Sequence, residues 1–223
     1  MAGTVDVERE KRDAARRSAL LVDDGMRIGL GTGSTVAFML PALAERGLDL
    51  RCVATSPETE RRAREVGLQV ESFEGPESLA RLDIAIDGAD QVDAAGWVVK
   101  GGGAAHTREK RVAASADRFV IIVDSGKLVD RVHGPVPLEL MSFGLAATLL
   151  DLGSARLRDV PRSPDGGVIA DLEGPVEDPA ALAARLDATP GVVAHGLFPP
   201  SMVSDVVIGR GDDVEIRPGA AAD

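Results

Sequence analysis

Residues 100–110 read KGGGAAHTREK, and this stretch links a predicted strand to a predicted helix. An apolar run at 97–99 precedes it, and a helical pattern continues to about residue 116. Three consecutive glycines between a strand and a helix permit positive φ angles and let a ligand approach the backbone closely. They also leave the first N–H groups of the helix available to an anion or an oxyanion. The stretch therefore predicts a ligand-binding turn.

Glu109 stands in the helical part of this stretch without a basic neighbour on its own helix face. The positions three and four residues away hold Ala105, His106, Val112 and Ala113. An exposed helix carboxylate is often part of an i,i+4 ion pair, and here no such pair can form. This pattern favours a functional role for Glu109 over a solvated one.

Length and composition limit the class of protein. A chain of 223 residues with 44% apolar residues can form one large α/β domain, alone or with a small second domain. The net charge of −11 argues against a nucleic-acid partner, which basic patches would bind. The single cysteine, Cys52, lies in an apolar run, so we expect a core residue, no intrachain disulfide and a reducing cytoplasm. Residues 1–13 lack the apolar segment of a signal peptide, and no run approaches the roughly 18 apolar residues of a membrane span.

The use of lysine in this chain is selective. Of 25 basic residues only four are lysines, namely Lys11, Lys100, Lys110 and Lys127. A lysine in an arginine-rich sequence is a candidate for a place that requires a compact ammonium. For Lys110, on a charged helix face, we expect no such role.

Strands and helices alternate along the first part of the chain. Strands are predicted at 26–30, 51–55, 69–72, 82–86, 97–100 and 119–123, with helices at 6–24, 35–46 and from the Ser56-Pro57 start to Gly67. This alternation is typical of βαβ units and of an α/β fold with a mainly parallel sheet. A smaller α+β domain is predicted from about residue 132, and strands at 206–208 and 214–216 can return to the first sheet.

Polar segments follow four of the predicted strands, at residues 31–35, 87–90, 100–103 and 124–127. Ligands of parallel α/β sheets bind beyond the carboxyl ends of the strands. The fold should therefore bring these four segments to one edge.

The segment 29–35, GLGTGST, invites comparison with a dinucleotide-binding loop. The third glycine of that motif is replaced by Ser34, and no acidic residue ends the second strand, which closes on Thr55-Ser56. A Walker A loop is excluded too, because the segment 29–35 contains no Gly-Lys pair. A glycine-containing turn with three hydroxyls at a helix start suits a terminal phosphate monoester.

Asp87 and Asp90 end a buried strand and flank Gly88-Ala89. As a metal site they are insufficient, since hard cations require more oxygen ligands and none lies nearby in sequence. General acid–base chemistry fits them better, although Asp90 can equally cap a turn. A phosphate-binding turn, carboxylates and a lysine together suggest proton transfer on a phosphorylated polyol.

The ordered motifs GTGST (31–35), DGAD (87–90), KGGGAAHTREK (100–110) and DSGKLVD (124–130) closely resemble the type A ribose-5-phosphate isomerase family. GPVPLEL (134–140) and PGVVAHGLF (190–198) also fit, so the resemblance covers nearly the whole chain. It implies a Rossmann-like domain at 1–131 and 204–223, with helices on both faces of a mainly parallel sheet. A small α+β domain at 132–203 and a homodimer or tetramer are also implied. The implied reaction interconverts ribose 5-phosphate and ribulose 5-phosphate through an enediolate, without metal or cofactor.

The resemblance also implies roles, matched by position in these motifs. Glu109 would be the base that moves a proton between C1 and C2, and Lys100 would stabilise the enediolate oxygens. Asp87 would assist opening of the furanose ring, and Asp90 would orient the sugar hydroxyls. The backbone of Gly101, Gly102 and Gly103 would assist Lys100. The phosphate would be held by Gly31, Thr32, Gly33, Ser34 and Thr35, with Lys127 and Lys11.

His106 departs from the apolar residue expected there from the resemblance. One turn from Glu109, it either packs or tunes that carboxylate. We expect His133 and His195 to be structural.

Two other function classes compete with an isomerase. A sugar-phosphate deaminase or a CoA-transferase-like enzyme would release ammonia or depend on CoA. A non-catalytic sugar-phosphate sensor would carry a helix-turn-helix, for which the acidic N-terminal region offers no room. The expected partner is a small sugar phosphate, with no nucleic acid and no membrane, in a cytoplasmic homo-oligomer.

Overall fold

The structure is a computed structural model that describes residues 6–221. Within these residues the helices are α1 (Val7–Ala19), α2 (Ser34–Ala44), α3 (Pro57–Glu65), α4 (His106–Ala113), α5 (Leu145–Leu152) and α6 (Pro179–Asp187), with short 3-10 helices at Ser125–Lys127 and Pro200–Met202. The strands are β1 (Arg27–Leu30), β2 (Arg51–Ala54), β3 (Leu82–Asp87), β4 (Gln91–Asp93), β5 (Val98–Val99), β6 (Ala116–Asp124), β7 (Leu128–Val129), β8 (Val136–Leu140), β9 (Ala155–Leu157), β10 (Val168–Leu172), β11 (Val192–His195), β12 (Leu197–Phe198), β13 (Asp205–Arg210) and β14 (Asp213–Pro218).

The largest sheet has the strand order β14-β13-β6-β3-β1-β2. All neighbours in it run parallel except β13 and β14, which form an antiparallel hairpin at one edge. The predicted α/β fold with a mainly parallel, Rossmann-like sheet is confirmed. The return of the chain to this sheet through β13 and β14 also agrees with the sequence pattern.

Strand β6 shows why both faces of the sheet are covered. Side chains alternate between the two faces of a strand, and every position from Phe119 to Asp124 is buried. Val120 and Ile122 join the core formed with α1 and α2. Phe119, Ile121 and Val123 join a second core, which contains residues of α4. The helix that carries Glu109 is therefore packed directly on the sheet.

The small domain is built on an antiparallel sheet with the order β11-β8-β10-β9. Its own apolar core includes Leu138 and Leu140 of β8 and Leu186 of α6. A third sheet, β12-β5-β4-β7, pairs Leu197 with Val99, the residue before Lys100. The domain division at residues 132–203 remains our proposal. The third sheet takes β4, β5 and β7 from before residue 132 and β12 from after it.

Two predicted strands are wrong in part. Residues 69–72 form only an isolated parallel bridge, Cys52 to Val70, at the edge of the large sheet. The predicted strand 97–100 is only two residues long and lies in the third sheet. Asp93 accepts the N–H groups of Ala95 and Trp97, which folds β4 and β5 into an antiparallel hairpin. A parallel strand would need a crossover of a dozen or more residues, and this connection is too short for one.

Proline within α2 does not stop the helix, which continues from Pro41 to Ala44. Across the described part of the chain, no helix is both long enough and apolar enough to span a membrane.

Candidate active site

The turn 101–105 between β5 and α4 is shaped by two residues with positive φ. Gly101 has φ 112° and Ala104 has φ 58°. Of the three consecutive glycines, only Gly101 therefore uses the left-handed freedom that the sequence pattern predicts. Gly101 is also required for space, because a Cβ there would lie 2.6 Å from Cβ of Pro137 and 2.8 Å from Nδ1 of His106. The tight turn directs the start of α4, and with it Glu109, toward the end of β3.

Three buried charged side chains meet behind this turn. Nζ of Lys100 lies 3.0 Å from Oδ2 of Asp87 and 3.2 Å from Oε2 of Glu109. Oδ1 of Asp87 accepts the backbone N–H groups of Thr32, at 2.9 Å, and Gly88, at 2.7 Å. Within residues 6–221, Oδ2 of Asp87 and Oε2 of Glu109 receive no hydrogen bond of good geometry. Both oxygens are buried and face the ammonium of Lys100.

Burial dominates the electrostatics of this cluster. It raises the pKa of Glu109 to about 8, with a further contribution from the nearby Asp87 and an opposing one from Lys100. The pKa of Asp87 is raised as well, chiefly by burial. Burial alone would lower the pKa of Lys100, but Asp87 and Glu109 outweigh it and raise that pKa. The cluster therefore holds an ammonium beside carboxyl groups that retain protons more readily than usual.

The turn between β1 and α2 lies next to this cluster. Gly33 precedes α2 with φ 123°, and no side chain of residues 6–221 caps the first N–H groups of the helix. The hydroxyl of Thr32 is 2.7 Å from that of Thr55, and Nζ of Lys11 donates to Oγ of Ser34 at 3.0 Å. A Cβ on Gly31 would lie 2.1 Å from Cγ of Asp87, so only glycine lets the carboxylate fit there. The turn presents free N–H groups, a hydroxyl and a nearby lysine, a combination suited to an anion.

One pocket joins the four polar segments singled out in the sequence. Its lining consists of Thr32, Gly33, Ser34, Thr35, Gly88, Ala89, Asp90, Lys100, Gly101, Gly102, Gly103, Glu109 and Lys127. Asp87 and Gly31 lie behind this lining, and Lys11 reaches it through Ser34. Asp90 accepts the N–H of Gly102 at 2.7 Å. The structure thus places every sequence-predicted site residue in or directly behind one pocket.

Lys110 is placed otherwise than expected. It was predicted to lie on a charged helix face, but its Nζ donates to the carbonyl of Leu197 at 3.0 Å and lies 5.0 Å from the ring centre of Phe198. Burial lowers its pKa to about 8. The prediction was wrong because α4 turns this face toward β12 rather than toward solvent. The scarcity of lysine in the chain was a signal that could have identified it.

The histidines lie outside the pocket lining. His106 is fully buried, and within the described residues neither ring nitrogen has a hydrogen-bond partner. Burial lowers the pKa of His106 to about 3, so the ring is neutral and packs against Gly101. Nε2 of His195 lies 3.1 Å from Asp187. Sequence reasoning missed Arg158 of the small domain, whose guanidinium contacts the carbonyl of Gly101 across 57 residues of chain.

Within residues 6–221, no three acidic, histidine or cysteine side chains are arranged so as to hold a metal ion.

Comparisons with known proteins agree on one family. The sequence model of "Ribose 5-phosphate isomerase A (phosphoriboisomerase A)" matches residues 51–213. A ribose-5-phosphate isomerase A from Halobacterium salinarum is 46% identical over 222 residues, covering 94% of this chain and 96% of the relative.

Solved structures give the same result. Ribose 5 phosphate isomerase A from Neisseria gonorrhoeae superposes with a TM-score of 0.91 at 28% identity, covering 97% of this chain and 99% of that one. A D-ribose-5-phosphate isomerase in complex with phospho-erythronic acid superposes with a TM-score of 0.88 at 33% identity, covering 96% of this chain and 100% of that one.

Proposed function

This chain belongs to the ribose 5-phosphate isomerase A family, and we propose that it interconverts D-ribose 5-phosphate and D-ribulose 5-phosphate through an enediolate, with Glu109 as the general base. The observation that carries the proposal is the buried contact between Glu109 and Lys100 at the wall of a pocket whose other side is an anion-binding turn. Base, cation and anion site are thus combined within the reach of one small sugar phosphate.

The phosphate binds at the turn 31–35. The N–H groups at the start of α2 and the hydroxyls of Ser34 and Thr35 donate to its oxygens, and Lys127 supplies a positive charge from the lining of the same pocket. Helix N-termini favour anions because their first N–H groups have no partner within the helix. Lys11 supports this site through its contact with Ser34. Binding at this end fixes the sugar carbons relative to Glu109.

Ring opening precedes isomerisation, and Asp87 assists it. Opening the furanose moves a proton from the hydroxyl on C1 to the ring oxygen. Asp87 lies behind the pocket lining with its Oδ2 atom 3.0 Å from Nζ of Lys100, so it assists this transfer by relaying the proton through that ammonium. Burial raises the pKa of Asp87, which makes its carboxylate a better proton acceptor than an exposed aspartate. Asp90, in the pocket lining, orients the sugar hydroxyls.

Glu109 then removes the proton from C2 of the open-chain aldehyde and delivers it to C1. Removal leaves an enediolate, whose negative charge develops on the oxygens of C1 and C2. Lys100 lies 3.2 Å from Glu109, so its ammonium can stabilise those oxygens while the carboxyl carries the proton. The N–H groups of Gly101 and Gly103 add further donors, whereas that of Gly102 already donates to Asp90. A proton then passes from the hydroxyl on C2 to the oxygen on C1, with the ammonium of Lys100 as the adjacent carrier. Return of the first proton from Glu109 to C1 completes the ketose.

No step of this scheme needs a metal, because Lys100 supplies the positive charge at the oxyanion. Family membership also supports, as proposals, a homo-oligomeric assembly and a cytoplasmic location.

The test is an isomerase assay on protein dialysed against EDTA. Ribulose 5-phosphate formed from ribose 5-phosphate is followed by NMR, with arabinose 5-phosphate, which differs at C2, as the comparison substrate. We expect turnover of ribose 5-phosphate alone, unchanged by added Mg²⁺ or Zn²⁺. Absence of ribulose 5-phosphate would remove the function, and activity that depends on an added divalent ion would remove the metal-free mechanism.

A further inference from the structure

Arg158 links the small domain to the glycine turn of the site. It follows β9 directly, and its backbone N–H donates to the carbonyl of Ile169 on β10 at 3.0 Å. Nε and Nη2 of its guanidinium donate to the two carboxylate oxygens of Asp171, at 2.6 and 2.5 Å. The remaining terminal nitrogen, Nη1, donates to the carbonyl of Gly101 at 2.8 Å. Asp171 therefore orients the guanidinium, and the guanidinium reaches the turn.

The peptide bond between Gly101 and Gly102 is held at both ends. Its carbonyl accepts from Arg158, and its N–H donates to Oδ2 of Asp90 at 2.7 Å. The C=O and N–H of a planar trans peptide point in opposite directions, so these two contacts fix the orientation of the whole peptide. They also fix the Asp90 carboxylate, which lines the pocket.

The same carbonyl closes the turn that leads into α4. The N–H of Ala104 donates to Gly101 at 3.0 Å, and Ala104 has φ 58°, a conformation that is uncommon for any residue other than glycine. A backbone in this region persists only where its surroundings hold it. Arg158 is one of the groups that hold it, because it binds the carbonyl on which the turn closes.

We propose that Arg158 is a positioning residue for the isomerase reaction. Through the Gly101 carbonyl it holds the glycine turn and Asp90 in the arrangement required for the enediolate. This inference rests on the proposed function. Within residues 6–221, the guanidinium of Arg158 donates hydrogen bonds to Asp171, Gly101 and Gly102, and none goes to the turn 31–35. We therefore expect Arg158 to act at the reacting end of the substrate. Loss of Arg158 should therefore reduce kcat more than it weakens substrate binding.

Arginine is the side chain that this position requires. Three separate N–H directions are used, two toward Asp171 and one toward Gly101. The planar guanidinium provides such a fork, whereas the ammonium of lysine is a single compact donor group. Arg158→Lys should recover part of the function and Arg158→Met none.

The experiment compares Arg158→Met and Arg158→Lys with Arg118→Met. Arg118 forms a similar two-point pair with Asp205 in the large sheet, remote from the pocket lining, and so reports the general effect of losing such a pair. For each protein we measure kcat and KM for ribose 5-phosphate, inhibition by phospho-erythronic acid and by inorganic phosphate, and the midpoint of thermal unfolding.

For Arg158→Met we expect kcat to fall roughly 10- to 100-fold, the range typical of small misplacements of reacting groups. KM and inhibition by inorganic phosphate should change by no more than about threefold. Inhibition by phospho-erythronic acid, which adds a carboxylate to the phosphate, should weaken in parallel with kcat. Arg158→Lys should lie between Arg158→Met and the unaltered protein, and Arg118→Met should keep its kcat.

Normal kcat in Arg158→Met, or an equal loss in Arg118→Met, would overturn the positioning role while leaving the proposed function in place. Absence of isomerase activity in the unaltered protein would instead refute the proposed function itself.

Discussion

Nζ of Lys100 lies 3.2 Å from Oε2 of Glu109, and the two side chains are only 3% and 5% exposed. Asp87 is the third member of the cluster, so two carboxyl groups share one ammonium away from water. If both carboxyl groups were ionised, the buried cluster would carry a net negative charge, which is unfavourable at low dielectric. One carboxyl group therefore retains its proton to a higher pH than usual, which makes Glu109 a stronger base than an exposed glutamate.

The pH dependence of activity follows from this cluster. Glu109 must be ionised to accept a proton, so activity should be lost as the pH falls through its pKa. Because burial raises that pKa, the acid limb of kcat/KM should lie well above the ordinary glutamate value of about 4.3. Asp87 contributes to the rise, and Asp87→Asn should therefore move the acid limb to lower pH even while kcat falls. An acid limb near 4.3, unmoved in Asp87→Asn, would contradict this account of Glu109.

The buried charge of Glu109 should also lower the stability of the fold. Glu109→Gln, which reduces activity, should therefore increase stability. The folded-state pKa of Glu109 is raised, so its ionisation opposes folding above the unfolded pKa of about 4.3, and fully so above the raised pKa. Glu109→Gln should unfold at a higher temperature than the unaltered protein at pH 8. The difference should shrink as the pH is lowered toward about 4.

Glu139 offers a matched control for this stability measurement. It is also a buried glutamate, but its carboxylate accepts hydrogen bonds from the hydroxyls of Thr107 and Ser163, each at 2.5 Å. Glu139→Gln removes an acceptor oxygen and should lower the unfolding temperature. If both glutamine variants lower it at pH 8, burial of Glu109 is not the destabilising feature we infer.

Recognition of the phosphate can be tested separately from the chemistry. Lys127 lines the pocket, whereas Lys11 reaches it only through Ser34. Lys127→Met should raise KM for ribose 5-phosphate roughly tenfold or more, since hydrogen bonds to charged groups contribute about 1.5–3 kcal/mol. Lys11→Met should raise KM less than Lys127→Met does. Inorganic phosphate should compete weakly with ribose 5-phosphate, and free ribose should be a very poor substrate. Comparable kcat/KM for ribose and its 5-phosphate would remove the phosphate assignment from the turn 31–35.

Much of the site could be predicted because it lies where strands end. Gly31, Asp87 and Lys127 belong to segments that follow predicted strands, and a parallel sheet brings such segments to one edge. Lys100 lies at the same edge but follows β5, which forms a short antiparallel hairpin with β4. The sequence pattern could not distinguish this hairpin from a fifth parallel strand, because the two residues of β5 are too few to show the alternation of a strand.

The residues that were missed depend on contacts made across the chain. Arg158 acts on Gly101 from another sheet, and Lys110 turns toward Phe198 rather than toward solvent. Neither contact follows from local spacing, since each depends on how the small domain and β12 pack against α4. The positive φ of Ala104 was equally hidden, because alanine does not indicate a left-handed turn as glycine does.

The most direct test of the central claim follows the substrate protons in D2O with Glu109→Gln. The amide keeps the shape of the side chain but cannot accept the C2 proton. In the unaltered protein, NMR should show ribulose 5-phosphate forming and solvent deuterium entering at C1. In Glu109→Gln, kcat should fall by about 10²–10⁴-fold, with little change in binding of ribose 5-phosphate, and exchange should stop together with turnover. Near-normal turnover or exchange in Glu109→Gln would show that another group carries the proton.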